Sequence, residues 1–397
     1  MKASSSRDPA VRGRGVSLAV VFFGLCLLTT ASRAIGAALG GTEATVELID
    51  TTGAAVGKEA SAEDAGAVLP GEFVLAPIPT LQPALGGGVV LVGMYFHPHQ
   101  ADKPANITGA AAGYTSTDSY LIGVAHDHHF KGGRWRVQGA AGYAKFNLNF
   151  NGIGADPGDS GRSLSYSVEG TFVEPQLLYK FSRGWSVGLS GQLLDADISF
   201  ENTEQDDPIL EPITREELNL TSVGLGWLAQ KDTRDNRFAP YTGQYFQVDS
   251  TLFPGGFSND LDFRIYNGFY NQYWRIRDKT VLAANVSTTY ADGDVPFYRL
   301  SKLNFRGVSG DTYWNKFLLQ GQAELRQQIH GKWSGAVFAG YGGVSRSLNT
   351  LDSDDMIFAG GAGVRYMVSP EQRVALRLDV AQGQDGTMVY ISIGEAF

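Results

Sequence analysis

The sequence predicts an all-β chain folded as a transmembrane antiparallel β-barrel of about fourteen strands, or sixteen with one further N-terminal hairpin. Three observations predict it. Beyond Ala84 the dominant hydropathy period is two, the signature of strands whose alternate side chains face different surroundings. The alternating segments run about 10–16 residues, longer than the five or six usual in soluble sheets and enough to cross a bilayer with tilt. The connections also keep a parity. Long or polar ones at 98–116, 150–161, 200–217, 291–313 and 346–355 alternate with short ones such as "FSRG", "RDK", "HGK" and "SPE". A barrel has short periplasmic turns and longer outer loops, whereas a sandwich has no reason to keep such order.

Composition agrees. Of 397 residues 18% are charged, below the roughly 25% usual for soluble proteins. No stretch of ~18 apolar residues follows the first 35, so no transmembrane helix is expected. The net charge of −9 argues against nucleic acid, which requires a basic face. Residues 1–34 read as a signal peptide: Arg7, Arg12 and Arg14 precede the apolar core "VSLAVVFFGLCLLTT", and "SRA" ending at Ala34 offers small residues for cleavage. The single cysteine, Cys26, lies in that core behind "FGL", which lacks the small residue a lipoprotein signal needs. Residues 35–74 form a flexible lead rich in Ala, Gly, Thr and Glu, and 75–397 form the barrel domain.

In chain order, strands are expected near 84–97, 117–126, 134–149, 162–180, 185–199, 218–230, 243–254, 260–275, 279–290, 314–329, 333–345, 356–368, 372–381 and 387–397. In 162–180 the apolar phase runs Leu164, Tyr166, Val168 and then Val173, Leu177, Tyr179. That shift predicts a bulge near Phe172 and Val173, beside Pro175, which donates no ladder hydrogen bond. In 260–275, Leu261, Phe263, Ile265, Phe269 and Tyr273 oppose Asp262, Arg264, Tyr266, Tyr270 and Gln272. In 314–329, Ala323 and Leu325 oppose Gln322, Glu324 and Arg326. In 372–381, Leu376, Leu378 and Val380 oppose Arg377 and Asp379. The last strand ends in Phe397, an aromatic terminus that suits an assembly signal: an amphipathic edge strand that is captured by strand addition.

Several motifs resemble one family. "KDTRDNRFAPYTGQYFQVDS" (231–250) resembles the Asp-Thr-Arg-Asp hairpin of the bacterial surface antigen superfamily, which holds the barrels of outer-membrane protein assembly factors and two-partner secretion transporters. The matching positions are Asp232, Arg234, Asp235 and Gly243 in a periplasmic hairpin. "FRGVSGD" resembles the Arg-Gly motif of the family's long loop, carried here by Arg306 and Gly307; "LRLDVAQGQDGTMVYISIGEAF" resembles its closing hairpin and "APIPTLQPALGGGVVL" its first-strand entry. The resemblance implies that the loop around Arg306 folds into the lumen and touches the wall. Glu324 and Asp379 are then its expected lumen partners. The family's usual acidic residue in the strand matching "VFAGYGG" is absent, with Gly340 in its place. The chain looks like a short form without periplasmic docking domains. The resemblance implies membrane-protein assembly or polypeptide translocation. A passive channel selected by Asp249, Asp262, Arg264, Glu324, Arg326, Arg377 and Asp379, or a structural surface barrel, are the alternatives.

Other constellations point to no chemistry of their own. His97 and His99 fall at the outer end of one expected strand, and His126, His128 and His129 at the periplasmic end of the next, so no joint metal site is expected. No serine–histidine pair, phosphate loop or zinc spacing occurs, so neither an enzyme nor a cofactor is implied. The acidic loop 201–217 reads as solvated or as a divalent-ion bridge to lipopolysaccharide. The expected partners are outer-membrane lipid, lipopolysaccharide and, from the resemblance, unfolded outer-membrane proteins or a periplasmic partner.

Overall fold

A computed structural model describes residues 68–100, 105–154, 163–200, 219–236, 238–256, 261–370 and 373–397. It is one closed antiparallel barrel of sixteen strands. The first eight are β1 (Glu72–Gln82), β2 (Gly86–Phe96), β3 (Ile107–Thr115), β4 (Tyr120–Phe130), β5 (Trp135–Phe150), β6 (Leu164–Ser182), β7 (Trp185–Phe200) and β8 (Asn219–Asp232). The second eight are β9 (Gly243–Phe253), β10 (Phe263–Arg277), β11 (Thr280–Gly293), β12 (Phe317–His330), β13 (Trp333–Ser345), β14 (Ile357–Ser369), β15 (Val374–Gly383) and β16 (Gly386–Ile393). The signal segment, most of the lead and the acidic loop 201–217 lie outside the described residues.

Sixteen strands close the barrel, the larger of the two expected counts, and the two that sequence patterning does not mark are β1 and β3. In β1, "EFVLAPIPTLQ", apolar residues run together and two prolines intervene, so no alternation is visible. In β3, "ITGAAAGYT", Gly109 and Ala111 face inward while Ala110 and Ala112 face outward. Small residues on both faces carry no hydropathy contrast. The presence of β3 corrects the reading of 98–116 as one outer loop. Residues 97–106 turn at the periplasmic end, and the outer connection shrinks to 116–119.

The outer surface is apolar, with Leu91, Ile122, Val124, Leu189, Leu225, Val337 and Leu378 exposed. Such a continuous band is stable only against lipid. Aromatic pairs mark its two borders: Tyr266 with Tyr290 at the outer end, and Trp333 with Tyr366 at the periplasmic end, centroids 6.3 and 4.9 Å apart. This is the geometry of an outer-membrane-type barrel.

Two expected faces are corrected, for one reason. The segment 294–316 between β11 and β12 folds into the lumen, where Phe297, Tyr298, Leu300 and Trp314 pack on Phe150, Tyr166 and Val168. The upper lumen wall is therefore apolar. Leu164, Tyr166 and Val168 point inward toward this segment and Val173 points to lipid, while the β5–β6 register runs unbroken from Phe150↔Leu164 to Trp135↔Tyr179. No bulge occurs at Phe172 and Val173. Likewise Phe263, Ile265, Phe269 and Tyr273 of β10 are buried inside and Arg264 is exposed outside. Arg264 and Asp262 thus leave the expected lumen set, whereas Asp249 stays in it, accepting hydrogen bonds from Gln247 and Asn267.

The histidines are corrected as well. With β3 in place, both groups sit at the periplasmic rim, His97, His126 and His128 on the outer face and His129 turned to the lumen beside Asp127. The His97 and His126 rings are 5.8 Å apart, bridged by Thr108 Oγ1 at 2.9 Å from His97 Nε2 and 2.8 Å from His126 Nδ1. Among the described residues no group of three potential ligands is arranged to hold a metal. A membrane-impermeant maleimide applied to intact cells should label Thr117→Cys, in the β3–β4 turn, and leave His99→Cys unlabelled; labelling of both would restore the single long outer loop.

Candidate functional site

Residues 294–316 reach the lower wall through a short hairpin in which Ser301 and Lys302 pair with Asn315 and Trp314. Below it Val308 N–H donates to Phe305 O at 3.1 Å, closing a tight turn around Arg306 and Gly307. Gly307 has φ +94°, and a Cβ there would lie 2.7 Å from Ala359 Cβ of β14. Glycine is required on both counts: it tolerates the left-handed backbone and it permits wall contact. Gly383 of β15 leaves room from the other side, since a Cβ on it would meet Gly307 O at 1.9 Å. The tip is then tied to the last hairpin. Gly307 N–H donates to Tyr390 Oη, and Ser309 N–H and Tyr313 Oη donate to Asp385, each at 2.9 Å.

The Arg306 guanidinium lies between the two expected carboxylates. Its Nη1 is 2.6 Å from Glu324 Oε2 and 2.8 Å from Asp379 Oδ2, with both carboxylates fully buried. The ring of Phe338 lies 3.5 Å beneath it, a cation–π contact supplied by β13 where the resemblance leads one to expect an acid. Gly340 has its own role: a Cβ there would meet Phe305 Cδ2 at 2.4 Å, so its absence seats the residue preceding Arg306.

Sequence reasoning puts Arg326 and Arg377 on the lumen face but does not single out Arg365 and Glu395, which complete the network. Arg365 of β14 donates to Asp379, to Glu324 Oε2 at 3.2 Å and to Glu395 Oε2 at 3.2 Å. Arg326 lies 2.6 Å from Glu324 Oε1 and 3.5 Å from Glu395 Oε2, and Arg377 lies 3.4 Å from Asp379. The signal was present in "AGVRYMV", where Arg365 sits between the outward Val364 and Tyr366 in a two-residue alternation.

Glu395 reaches this network because the chain turns inward after β16. Gly394 adopts φ +87° and its N–H donates to Ala375 O at 2.8 Å. Phe397 is consequently not the exposed end of an edge strand. It is 4% accessible inside the barrel, packed on Tyr273 and Ala283, with its main-chain oxygen 2.9 Å from Arg326 Nη2.

The periplasmic hairpin 233–242 is a separate site. Asp232 binds Arg234 through Nε and Nη2, both at 3.1 Å, and the guanidinium lies 4.5 Å from the Tyr245 ring centroid. Asp235 Oδ1 accepts the N–H groups of Tyr241 and Thr242 at 2.9 and 3.1 Å, and Oδ2 meets Arg373 Nη1 at 2.7 Å. Gly243, at φ +102°, lets the chain re-enter the barrel where a Cβ would strike Thr233 O. The four residues expected here thus serve to close the turn and to tie it to the turn between β14 and β15.

The comparisons bear on this geometry. No family model matches the chain, and no curated protein matches it in sequence. Solved structures do. BamA from Haemophilus ducreyi, in a form lacking POTRA domains 1–3, superposes with a TM-score of 0.57 at 12% identity, covering 82% of this chain and 70% of that one. The fold is a BamA-like barrel. CdiB from Escherichia coli superposes with a TM-score of 0.57 at 12% identity, and CdiB from Acinetobacter baumannii with 0.50 at 11%. Each match covers 82% of this chain, which spans 62% and 59% of those two chains respectively. The BamA-like barrel therefore has its architecture in common with proteins whose sequences it hardly shares.

Two outcomes are expected at these sites. Glu324→Gln leaves three buried guanidiniums facing a neutral amide and should cost about 3–5 kcal/mol of stability, as removal of one partner of a buried ion pair does. Arg306→Ala should cost less, because Arg326 and Arg365 still face Glu324 and Arg365 still faces Asp379; urea unfolding followed by the electrophoretic shift of the folded barrel ranks the two. At the hairpin, burial opposes ionisation of Asp235, but Arg373 and the amides of Thr242 and Tyr241 outweigh it and hold its pKa below the usual value. Its stabilisation is present above the unfolded pKa of about 3.9 and is lost as pH falls below that value. The difference in melting temperature between the parent and Asp235→Asn should therefore be full at neutral pH and shrink below about pH 4.

Proposed function

We propose that this barrel assists the insertion of membrane proteins or the passage of polypeptides, by opening between β1 and β16. One observation carries the reading. The β1–β16 seam pairs at a single position, Leu81↔Ile391, whereas β15 and β16 pair without interruption from Leu376↔Ile393 to Gly383↔Gly386. A backbone hydrogen bond contributes about 0.5–1.5 kcal/mol net, so opening at the seam costs a small part of what opening any other ladder would. The strand chemistry suits this. Pro77 and Pro79 lie two apart in β1 and strip two donors from the same edge of the strand, a feature that sheets tolerate only at edges.

The likeness in fold to BamA and CdiB supports the same reading. So does the filled lumen: the aromatic cluster of 294–316 occupies the outer half, and Arg306 holds its tip to the lower wall. A passive channel would need that space open. The proposed role uses strand pairing and electrostatics and calls for no catalytic residue.

The test is reconstitution in liposomes with urea-denatured outer-membrane barrels as clients. The parent protein should accelerate their folding. Leu81→Cys/Ile391→Cys places two thiols at facing positions about 5 Å apart, within disulfide reach. Oxidation of this variant should abolish the acceleration and reduction should restore it. Acceleration that persists in the oxidised variant excludes the seam. No acceleration by the parent defeats the assembly reading, and conductance that rises on shortening 294–316 would then establish a channel.

A further inference from the structure

The periplasmic mouth of the lumen holds a cationic cavity of about 670 Å³, on the side formed by β4–β8. It lies between the turns 131–134 and 183–184 and the end of β8. Its rim is stitched by backbone hydrogen bonds: Lys180 N–H donates to Arg134 O, and Asp232 N–H donates to Gly184 O, both at 2.8 Å. Its lining includes Arg134, Arg136, Lys180, Arg183 and Arg234. Two of these already hold carboxylates. Arg136 meets Asp127 through contacts of 2.8–3.1 Å, and Arg234 meets Asp232. Arg134, Lys180 and Arg183 are exposed, and no carboxylate among the described residues forms an ion pair with them. The cavity therefore presents three cations in surplus.

Strand phase decides what can reach these charges. Arg134 continues the inward phase of the buried Arg136 and Gln138, and Lys180 continues that of Gln176 and Leu178. Successive side chains on a strand face opposite sides of the sheet, so the barrel wall stands between the cavity and lipid, and a lipid headgroup is not its occupant. The outer half of the lumen is filled by the aromatic cluster of 294–316, so the space opens to the periplasm. Its volume falls in the range of enclosed ligand sites, about 300–1,000 Å³. Leu178 adds an apolar contact and Gln230 a polar one to the same wall. That mixture suits a stretch of polypeptide better than a bare inorganic anion, and guanidinium forks match the geometry of carboxylates.

We infer that this cavity binds a carboxylate-rich stretch of an incoming unfolded polypeptide, through Arg134, Lys180 and Arg183, and is the entry subsite of the proposed insertion route. The identity of the occupant rests on that assembly reading, whereas the surplus of cations does not. The subsite is remote from the seam. From β1 to β5 and β6 is four to five strand spacings, roughly 20–25 Å along the wall, which an extended chain covers in about seven residues. A client with acidic residues at least that far from an edge strand can therefore occupy both places at once, and basic clients are repelled at the mouth.

Binding of fluorescent unstructured peptides to the full chain in detergent tests it, with a Glu-Gly-Ser repeat as probe and its Gln-Gly-Ser counterpart as control. Anisotropy should show saturable binding of the glutamate peptide and none of the glutamine peptide. Carbodiimide joins a lysine amine to a carboxylate in direct contact, so an amide between Lys180 and the probe, found by mass spectrometry, places it in the cavity. Affinity should fall about fivefold in Arg134→Gln/Arg183→Gln, which removes two exposed contacts but keeps the reporter. It should fall similarly at about 1 M salt, where the screening length is about 3 Å. Arg277→Gln/Lys332→Gln, at exposed periplasmic cations outside the cavity, should leave it unchanged. Absence of binding, equal losses in the two double variants, or coupling that spares Lys180 would each overturn the proposal. So would displacement of the probe by inorganic pyrophosphate at an ionic strength where sulfate leaves it bound, which would make this a phosphate site. The liposome assay keeps the two readings apart. Client folding accelerated by a parent that binds no probe removes the subsite and leaves the assembly role; probe bound without acceleration removes the assembly role and leaves a site for acidic chain.

Discussion

The pairing of Arg306 with Glu324 and Asp379 is the contact on which the interior depends. Both carboxylates are fully buried, and an isolated ion in such a place would be strongly unfavourable. What stabilises them is multiplicity: Arg306, Arg326 and Arg365 converge on Glu324, and Arg306, Arg365 and Arg377 on Asp379. The guanidinium fork suits this sharing, because its five donors are fixed in a plane and one side chain can serve two carboxylates. Buried networks of this kind add little net stability over an apolar core, but they specify one arrangement sharply. Here that arrangement is the position of an inward segment at a depth where irregular backbone survives only if protein surrounds it.

The segment 294–316 in turn decides which way several strands face. A barrel with a wet lumen would put apolar side chains outward throughout. This one has an apolar upper lumen because Phe297, Tyr298, Leu300 and Trp314 need a partner surface, which Phe150, Tyr166 and Val168 supply. The upper half of the lumen is thus a packed core and the lower half an ionic one. Arg306 stands at the border, with its guanidinium against Phe338 on one side and the carboxylates on the other.

The location of these anchors matters for the seam. The inward tip is fastened to Tyr390 on β16, to Asp385 in the β15–β16 turn and to Asp379 on β15. The inward end of the chain is fastened to Arg365 and Arg326 through Glu395 and Phe397. The strand that carries the weak edge is therefore held from inside the lumen rather than by its neighbour across the seam. The contacts that join 294–316 to β15 and β16 are hydrogen bonds and ion pairs of side chains and turns, separate from the barrel's backbone ladders.

Residue pattern alone determined much of this protein. Two-residue alternation in β12 and β15 set the inward faces of Glu324, Arg326 and Asp379, because a pleated strand presents successive side chains to opposite sides. The hairpin at Asp232, Arg234, Asp235 and Gly243 and the inward loop at Arg306 and Gly307 were legible only through the resemblance of their motifs to a known family, not from residue pattern. Hydropathy missed β1 and β3, since proline and small residues erase the contrast on which it relies, and with them it misplaced the histidines. It read a bulge in β6 where the register is continuous, because it could not know that Leu164, Tyr166 and Val168 face an aromatic segment more than a hundred residues away in the chain. Only the tertiary structure decided that Arg365 and Glu395 complete the ionic cluster and that Phe397 turns inside. The physical reason is that local pattern encodes which face a side chain takes, whereas what that face meets depends on contacts between parts of the chain far apart in sequence.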